Sequence, residues 1–259
     1  MCGGNKVRAL EFLLGAVTPG DTVVTLGSRG STHVLATAVH AARLGARTIA
    51  YTWPQVMNPT ALAVSRAIRG CCTAIETHHA LAALARYKLH RGAQCYVPMG
   101  GTSPIGIQGH IEAGRELAGQ IQRGELPTPD TVVVPLGTGG TAAGIAMGLG
   151  VAGIRTTVTA VRVVPWFAAP PWRIPRLIRA AGLPAVPVRV DHTAYGGAYG
   201  KPLDRGRQAV AEIGLALDDT YMAKAAAVAM ALRGPTLLWV TFNARAVTPD
   251  LATCDRPAT

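Results

Sequence analysis

A chain of 259 residues with 49% hydrophobic content can bury one large core or two modest ones, so a globular protein is expected. No apolar run reaches the roughly 18 residues of a membrane span, and Met1-Cys2-Gly3-Gly4-Asn5-Lys6 lacks the apolar stretch of a signal peptide, which makes a cytoplasmic location the expectation. The formal charge of +11 is scattered, with a modest cluster at Arg173, Arg176 and Arg179 and no alternating stacking aromatics, so a solvated basic shell is favoured over a nucleic-acid surface.

In chain order, Lys6 stands in the first turn of a helix whose apolar spacing runs from Val7 to Leu14. Thr22 to Leu26 reads as a strand, Gly27 to Gly30 as a turn, and Ser31 or Thr32 to Leu44 as a helix with hydroxyls at its start. Ser31 suits a helix N-cap, and His33 could reach a site or equally serve as a cap or surface residue. Thr48 to Tyr51, Pro59 to Ile68, Cys71 to Ile75 and His78 to His90 continue as strand, helix, strand and helix. Alternation of this kind implies a parallel sheet. Cys95 to Pro98 is a short strand, Ile107 to Gln122 a helix, and Pro165 to Trp172 an irregular segment expected to cover apolar surface. Helices follow at Pro175 to Ala181, Asp204 to Ile213 and Tyr221 to Arg233, and Thr236 to Thr241 is the last strand.

Five cysteines, an odd number without paired spacing, point to free or buried thiols. His78 and His79 are adjacent, point apart on a helix and have no second pair at ligand spacing, so no metal is expected.

Thr131 to Gly144, TVVVPLGTGGTAAG, carries the clearest chemistry: a β-branched strand, a glycine turn and a helix start. Glycines let backbone N–H groups close on an anion, and the helix N-terminus adds partial positive charge. A dinucleotide would need an acid after the next strand, where Thr157 to Val164 offers only Arg162. A phosphate monoester such as pyridoxal phosphate needs only Gly137, Thr138, Gly139, Gly140 and Thr141, with the two threonines adding hydroxyls.

Six segments in order, GGNKVRALEF, GSRGSTH, MGGTSPIG, PLGTGGTAAG, GGAYGKP and LDDTYMAKA, resemble the pyridoxal-phosphate enzymes that include D-cysteine desulfhydrase and 1-aminocyclopropane-1-carboxylate (ACC) deaminase. The resemblance covers residue 3 to about residue 230. It implies an α/β fold of two doubly wound parallel-sheet lobes with the cofactor between them, residues 9–98 forming the smaller lobe and 1–8 with 99–259 the larger. It also implies that Lys6 forms the Schiff base with the cofactor, that Ser31 lies by the substrate, and that Tyr199 and Tyr221 act as acid/base or nucleophilic partners near the substrate. Such phenols work best where a neighbouring cation lowers their pKa. The activity implied is that of a lyase or deaminase on a small amino acid, D-cysteine first and ACC second, in a homodimer.

This chain also departs from that family. Thr32 stands where an asparagine meets the cofactor's phenolic oxygen, Met222 replaces an acid or hydroxyl after the second tyrosine, and Thr241-Phe242-Asn243-Ala244 replaces a His-Thr-Gly-Gly turn. The start so close to the lysine motif leads to the expectation of an N-terminal truncation relative to the family. These departures define the alternative, a degenerate member that keeps the fold without the activity.

Overall fold

The computed structural model describes residues 4–242 and contains two separate parallel sheets. The first unit extends to Gly101 and the second begins at Thr102.

In the first unit, strands β1 (Thr22–Ser28), β2 (Arg47–Trp53), β3 (Thr73–Glu76) and β4 (Cys95–Tyr96) lie in the order β3-β2-β1-β4, all parallel. Helix α1 (Lys6–Leu13) precedes them, and α2 (Thr32–Arg43), α3 (Pro59–Cys71) and α4 (Ala80–Leu89) connect them. Every residue of β1 is buried, as expected for a central parallel strand covered on both faces. The cysteine pair expected to open β3 instead closes α3. His79, placed in a helix by its sequence, caps α4 by accepting the Ala82 N–H at 3.1 Å. Residues 4–8 belong to the first unit, not with the larger lobe, because Leu10 and Leu14 of the same helix segment pack on Val23, Ala36 and Val97.

The second unit holds α5 (Gln108–Gln122), β5 (Thr131–Leu136), α6 (Gly140–Val151), β6 (Thr157–Arg162), α7 (Arg173–Ala181), β7 (Val188–Asp191), α8 (Asp204–Ile213), α9 (Met222–Ala231) and β8 (Thr236–Leu238). Its sheet runs β7-β6-β5-β8, again all parallel. Alternate residues of β5 serve opposite faces: Val132, Val134 and Leu136 join the core with α5 and α6, and Val133 joins that with α8 and α9. Pro135 is tolerated because β8 pairs only as far as Val133, so no bond to β8 is lost.

Strand β7 has no counterpart in the sequence reading. Its four residues follow Pro184 and Pro187 too closely for alternation to show. The segment expected to cover apolar surface does so through Ala169 and, in part, Ala168. Trp166, Phe167 and Trp172 are 66%, 65% and 60% exposed.

Among the described residues no helix is long and apolar enough to cross a membrane, no three metal-ligating side chains gather, and Cys95 is a free thiol.

Helices α5 and α6 approach through glycine. A Cβ added to Gly144 would run into the Cβ of buried His110 and lie 2.8 Å from its carbonyl carbon, where no flexible atom can yield. Gly144→Ala is therefore expected to lower stability by about 1–3 kcal/mol, read from urea unfolding midpoints. An unchanged midpoint would contradict this packing.

Candidate active site

In the first unit, Gly4 takes φ of 49° and turns the chain into α1, so that Lys6 follows buried Asn5. Burial of the amine draws its pKa from 10.5 down to about 8. His33 sits in the second position of α2 and is fully enclosed, with Nε2 3.2 Å from Thr25 Oγ1. Burial first, then the Lys6 charge, lowers its pKa to about 3 against a backbone hydrogen bond to Pro98. The ring is therefore neutral, and the surface or capping role open to His33 is excluded. Ser31 is the cap: its Oγ accepts the Val34 N–H at 3.4 Å, with Thr32 following as the first helical residue. Gly101, at φ of 71°, lets the turn after β4 lie against Ala9 of α1 and near His33, which secures the helix that carries Lys6.

In the second unit, Gly139 begins α6 at φ of 92°, and no side chain caps the helix. Thr138 and Thr102 share a hydroxyl hydrogen bond of 2.5 Å. A Cβ on Gly140 would sit 2.8 Å from Thr102 Oγ1, so only glycine fits there. Thr141 occupies the first turn. Gly137 faces Tyr221, where an added Cβ would lie 3.4 Å from the ring. The Tyr221 hydroxyl is 2.7 Å from that of Tyr199, and the rings meet edge to face with centroids 5.9 Å apart. The cradle and both tyrosines thus occupy one neighbourhood.

The tyrosine chemistry differs from expectation. Burial first, then Tyr199, raises the Tyr221 pKa well above 10, so this phenol keeps its proton; it is not a cation-activated phenolate.

Two charged residues that sequence reasoning left without a role organise this neighbourhood. Asp218 is buried and accepts the N–H groups of Thr220 (3.0 Å), Tyr221 (2.8 Å) and Met222 (3.2 Å), closing the start of α9 and fixing the Tyr221 backbone. Burial pushes its pKa up to about 6 in spite of those donors. Lys224, 0% exposed, donates from Nζ to the Tyr195 carbonyl at 3.0 Å and ties α9 to the loop that carries Tyr199. The acid three residues before a helical turn, in Asp218-Asp219-Thr220-Tyr221, is a capping signal visible in the sequence. Met222 is fully buried, and its sulfur accepts from Thr241 N (3.3 Å) and Oγ1 (3.2 Å). Phe242 is buried as well, while Asn243 and Ala244 lie outside the described residues.

Uncapped N–H groups, glycines that admit no Cβ, and threonine hydroxyls suit a phosphate, and a lysine amine with a lowered pKa suits an aldehyde. The chain matches the pyridoxal-phosphate dependent enzyme family over residues 1–233. It belongs to that family.

Among relatives of this pyridoxal-phosphate dependent enzyme, Nocardicin C-9' epimerase of Nocardia uniformis subsp. tsuyamanensis is 41% identical over 223 residues, covering 77% of this chain and 66% of that protein. A putative ACC deaminase of Pyrococcus abyssi is 32% identical, with 86% and 73% covered. D-cysteine desulfhydrase of Salmonella paratyphi B is 31% identical, with 87% and 75% covered. The chain thus spans about two thirds to three quarters of the length of these relatives. The solved structure of an ACC deaminase homologue aligns with TM-score 0.76 at 25% identity, over 93% of this chain and 80% of that one. The two-lobed parallel α/β architecture and the pyridoxal-phosphate cofactor follow for this chain.

The lowered Lys6 pKa has a direct consequence. Between about pH 8 and 10.5 the unfolded chain binds the proton that the folded chain has shed, so folding stability contributed by this group rises across that window and is missing below it. Over the same range the amine becomes nucleophilic earlier than a solvated lysine. The rate of pyridoxal-phosphate attachment, followed by absorbance, is expected to rise with a midpoint about 8. A midpoint near 10.5 would contradict the burial of Lys6.

Proposed function

We propose that this protein is a lyase or deaminase of a small amino acid, with D-cysteine as the first substrate and ACC as the second. The observation that carries the proposal is the Tyr199 and Tyr221 hydroxyl pair set against Gly137 of the phosphate loop. Relatives named ACC deaminase and D-cysteine desulfhydrase support it. When bound, pyridoxal phosphate supplies an electron sink for negative charge developing at the substrate's α-carbon.

The chain's own groups take the remaining roles. Lys6 would hold the cofactor aldehyde, and its free amine is a base for the α-proton of a substrate that carries one, such as D-cysteine. Gly137, Thr138, Gly139, Gly140 and Thr141 hold the phosphate, and Thr32 stands by the ring. Ser31 accepts the Val34 N–H through its oxygen and keeps its own hydrogen for the substrate carboxylate. Tyr221, kept protonated by burial, donates a proton to the leaving group or carbon, and Tyr199 holds that hydroxyl in place and can return the proton. Loss of the α-proton and cleavage of the carbon–sulfur bond of D-cysteine release sulfide and an enamine, which water hydrolyses to pyruvate and ammonia.

A second reading is epimerisation, favoured by the 41% identity to Nocardicin C-9' epimerase. It requires the same proton removal, followed by return of a proton to the opposite face without loss of a leaving group.

One assay in deuterium oxide separates these readings. With D-cysteine or ACC, release of a 2-oxo acid with ammonia supports the first. Deuterium entering the α-carbon of recovered cysteine, without a 2-oxo acid, supports the second; ACC has no α-hydrogen and reports only on the first. Tyr221→Phe is expected to lower kcat roughly 100-fold or more with little effect on KM. Neither product above the level of Lys6→Ala would favour the degenerate alternative, in which Met222 and Phe242 mark lost activity.

A further inference from the structure

A second concentration of positive charge lies in the sheet of the second unit. The carboxyl ends of β5, β6 and β7 meet the start of α7 around a small pocket that opens to solvent. Arg162, Arg173 and His192 supply its basic side chains, Thr138 a hydroxyl, and Leu136, Ile174 and Val190 much of its apolar wall. No aspartate or glutamate lines it.

Three observations show that this charge has no internal partner. Arg162 Nε is buried without a hydrogen-bond partner, an arrangement that folded proteins rarely retain without a ligand, water or ion to complete it. Neither Arg162 nor Arg173 forms an ion pair among the described residues. Asp191, which ends β7, accepts from Thr193 N at 2.8 Å and Thr193 Oγ1 at 2.7 Å through Oδ1 and forms no ion pair among the described residues. Burial also lowers the Arg173 pKa, in keeping with a guanidinium drawn partly out of water.

The pocket and the proposed phosphate cradle are opposite faces of one loop. Gly139 presents its bare face to Ile174, whose Cγ1 would lie 3.1 Å from an added Cβ, whereas Gly140 presents its own to Thr102. Thr138 and Gly139 form a wall of the pocket.

We propose that this pocket binds a second oxyanion of the phosphate class, separate from the phosphate of the cofactor. Two unpaired guanidiniums in a partly desolvated wall are neutralised by a dianion, while a single carboxylate would leave one of them uncompensated. Arg162 donates from its buried Nε, Arg173 from the first turn of α7, and His192 from the end of β7. The proposal stands apart from the catalytic reading, since none of these three residues has been given a role in it.

The test is calorimetric titration of the cofactor-loaded protein with inorganic phosphate at constant ionic strength, with cofactor absorbance recorded in parallel. Saturable binding of one phosphate with unchanged absorbance is expected. Affinity should fall about tenfold or more in Arg162→Gln and in Arg173→Gln. It should be unaltered in Arg189→Gln, which removes an exposed arginine from β7. Should either pocket variant fold poorly, His192→Gln supplies an independent reading of the same wall. Absence of saturable binding, equal binding in all variants, equal loss in Arg189→Gln, or phosphate uptake that tracks cofactor release would each overturn the proposal. The absorbance record reports on the cofactor separately, so failure of the pocket and failure of the cofactor assignment are distinguishable.

Discussion

An anion can be held by backbone alone when a helix begins without a side-chain cap and glycines keep Cβ atoms away from its entry, and α6 meets both conditions. Gly139 at φ of 92° lets β5 enter the helix without a capping side chain, and the Thr102 hydroxyl leaves no room for a side chain at Gly140. The rest of the second unit is arranged to place that loop. β5 lies where the strand order reverses, with β6 on one side and β8 on the other, and its carboxyl end is therefore free of a crossing connection. Alternate valines of β5 anchor it to two cores, so the loop is carried by the most deeply buried strand of its sheet.

Desolvation sets the protonation state of most ionisable groups around the lysine and the tyrosines. It lowers Lys6 and His33, raises Tyr221 and Asp218, and in each case it is the largest cause. The neutral form is favoured throughout. This gives a lysine that can act as a nucleophile, an imidazole that stays uncharged beside it and a phenol that can donate. Asp218 is the exception that illustrates the cost: three N–H donors hold its carboxylate in place, and burial still raises its pKa to about 6.

The sequence discloses the features that rest on local chemistry. Alternation of strands and helices gives the parallel sheets, the glycine run gives the turn into an uncapped α6, and Ser31 before Thr32 gives the cap. Features that rest on tertiary contact stay hidden. Nothing in the spacing of Tyr199 and Tyr221, 22 residues apart, reveals that their hydroxyls touch. The burial of Lys224 cannot be read from a polar residue in an alanine-rich helix, because its partner is a carbonyl in a distant loop. His33 remains ambiguous until β1 supplies Thr25. Prolines just before β7 remove the alternation that would have announced it, and the exposed Trp166 and Trp172 show that aromatic content alone does not mark a covering segment.

The central claim is that the lysine of the first unit carries the cofactor, and reductive trapping addresses it most directly. The protein is reconstituted with pyridoxal phosphate, reduced with borohydride, digested and mapped by mass spectrometry. The account predicts a phosphopyridoxyl group on Lys6 at near-stoichiometric yield. Modification of Lys88, Lys201 or Lys224 in its place, with Lys6 unlabelled, would contradict it.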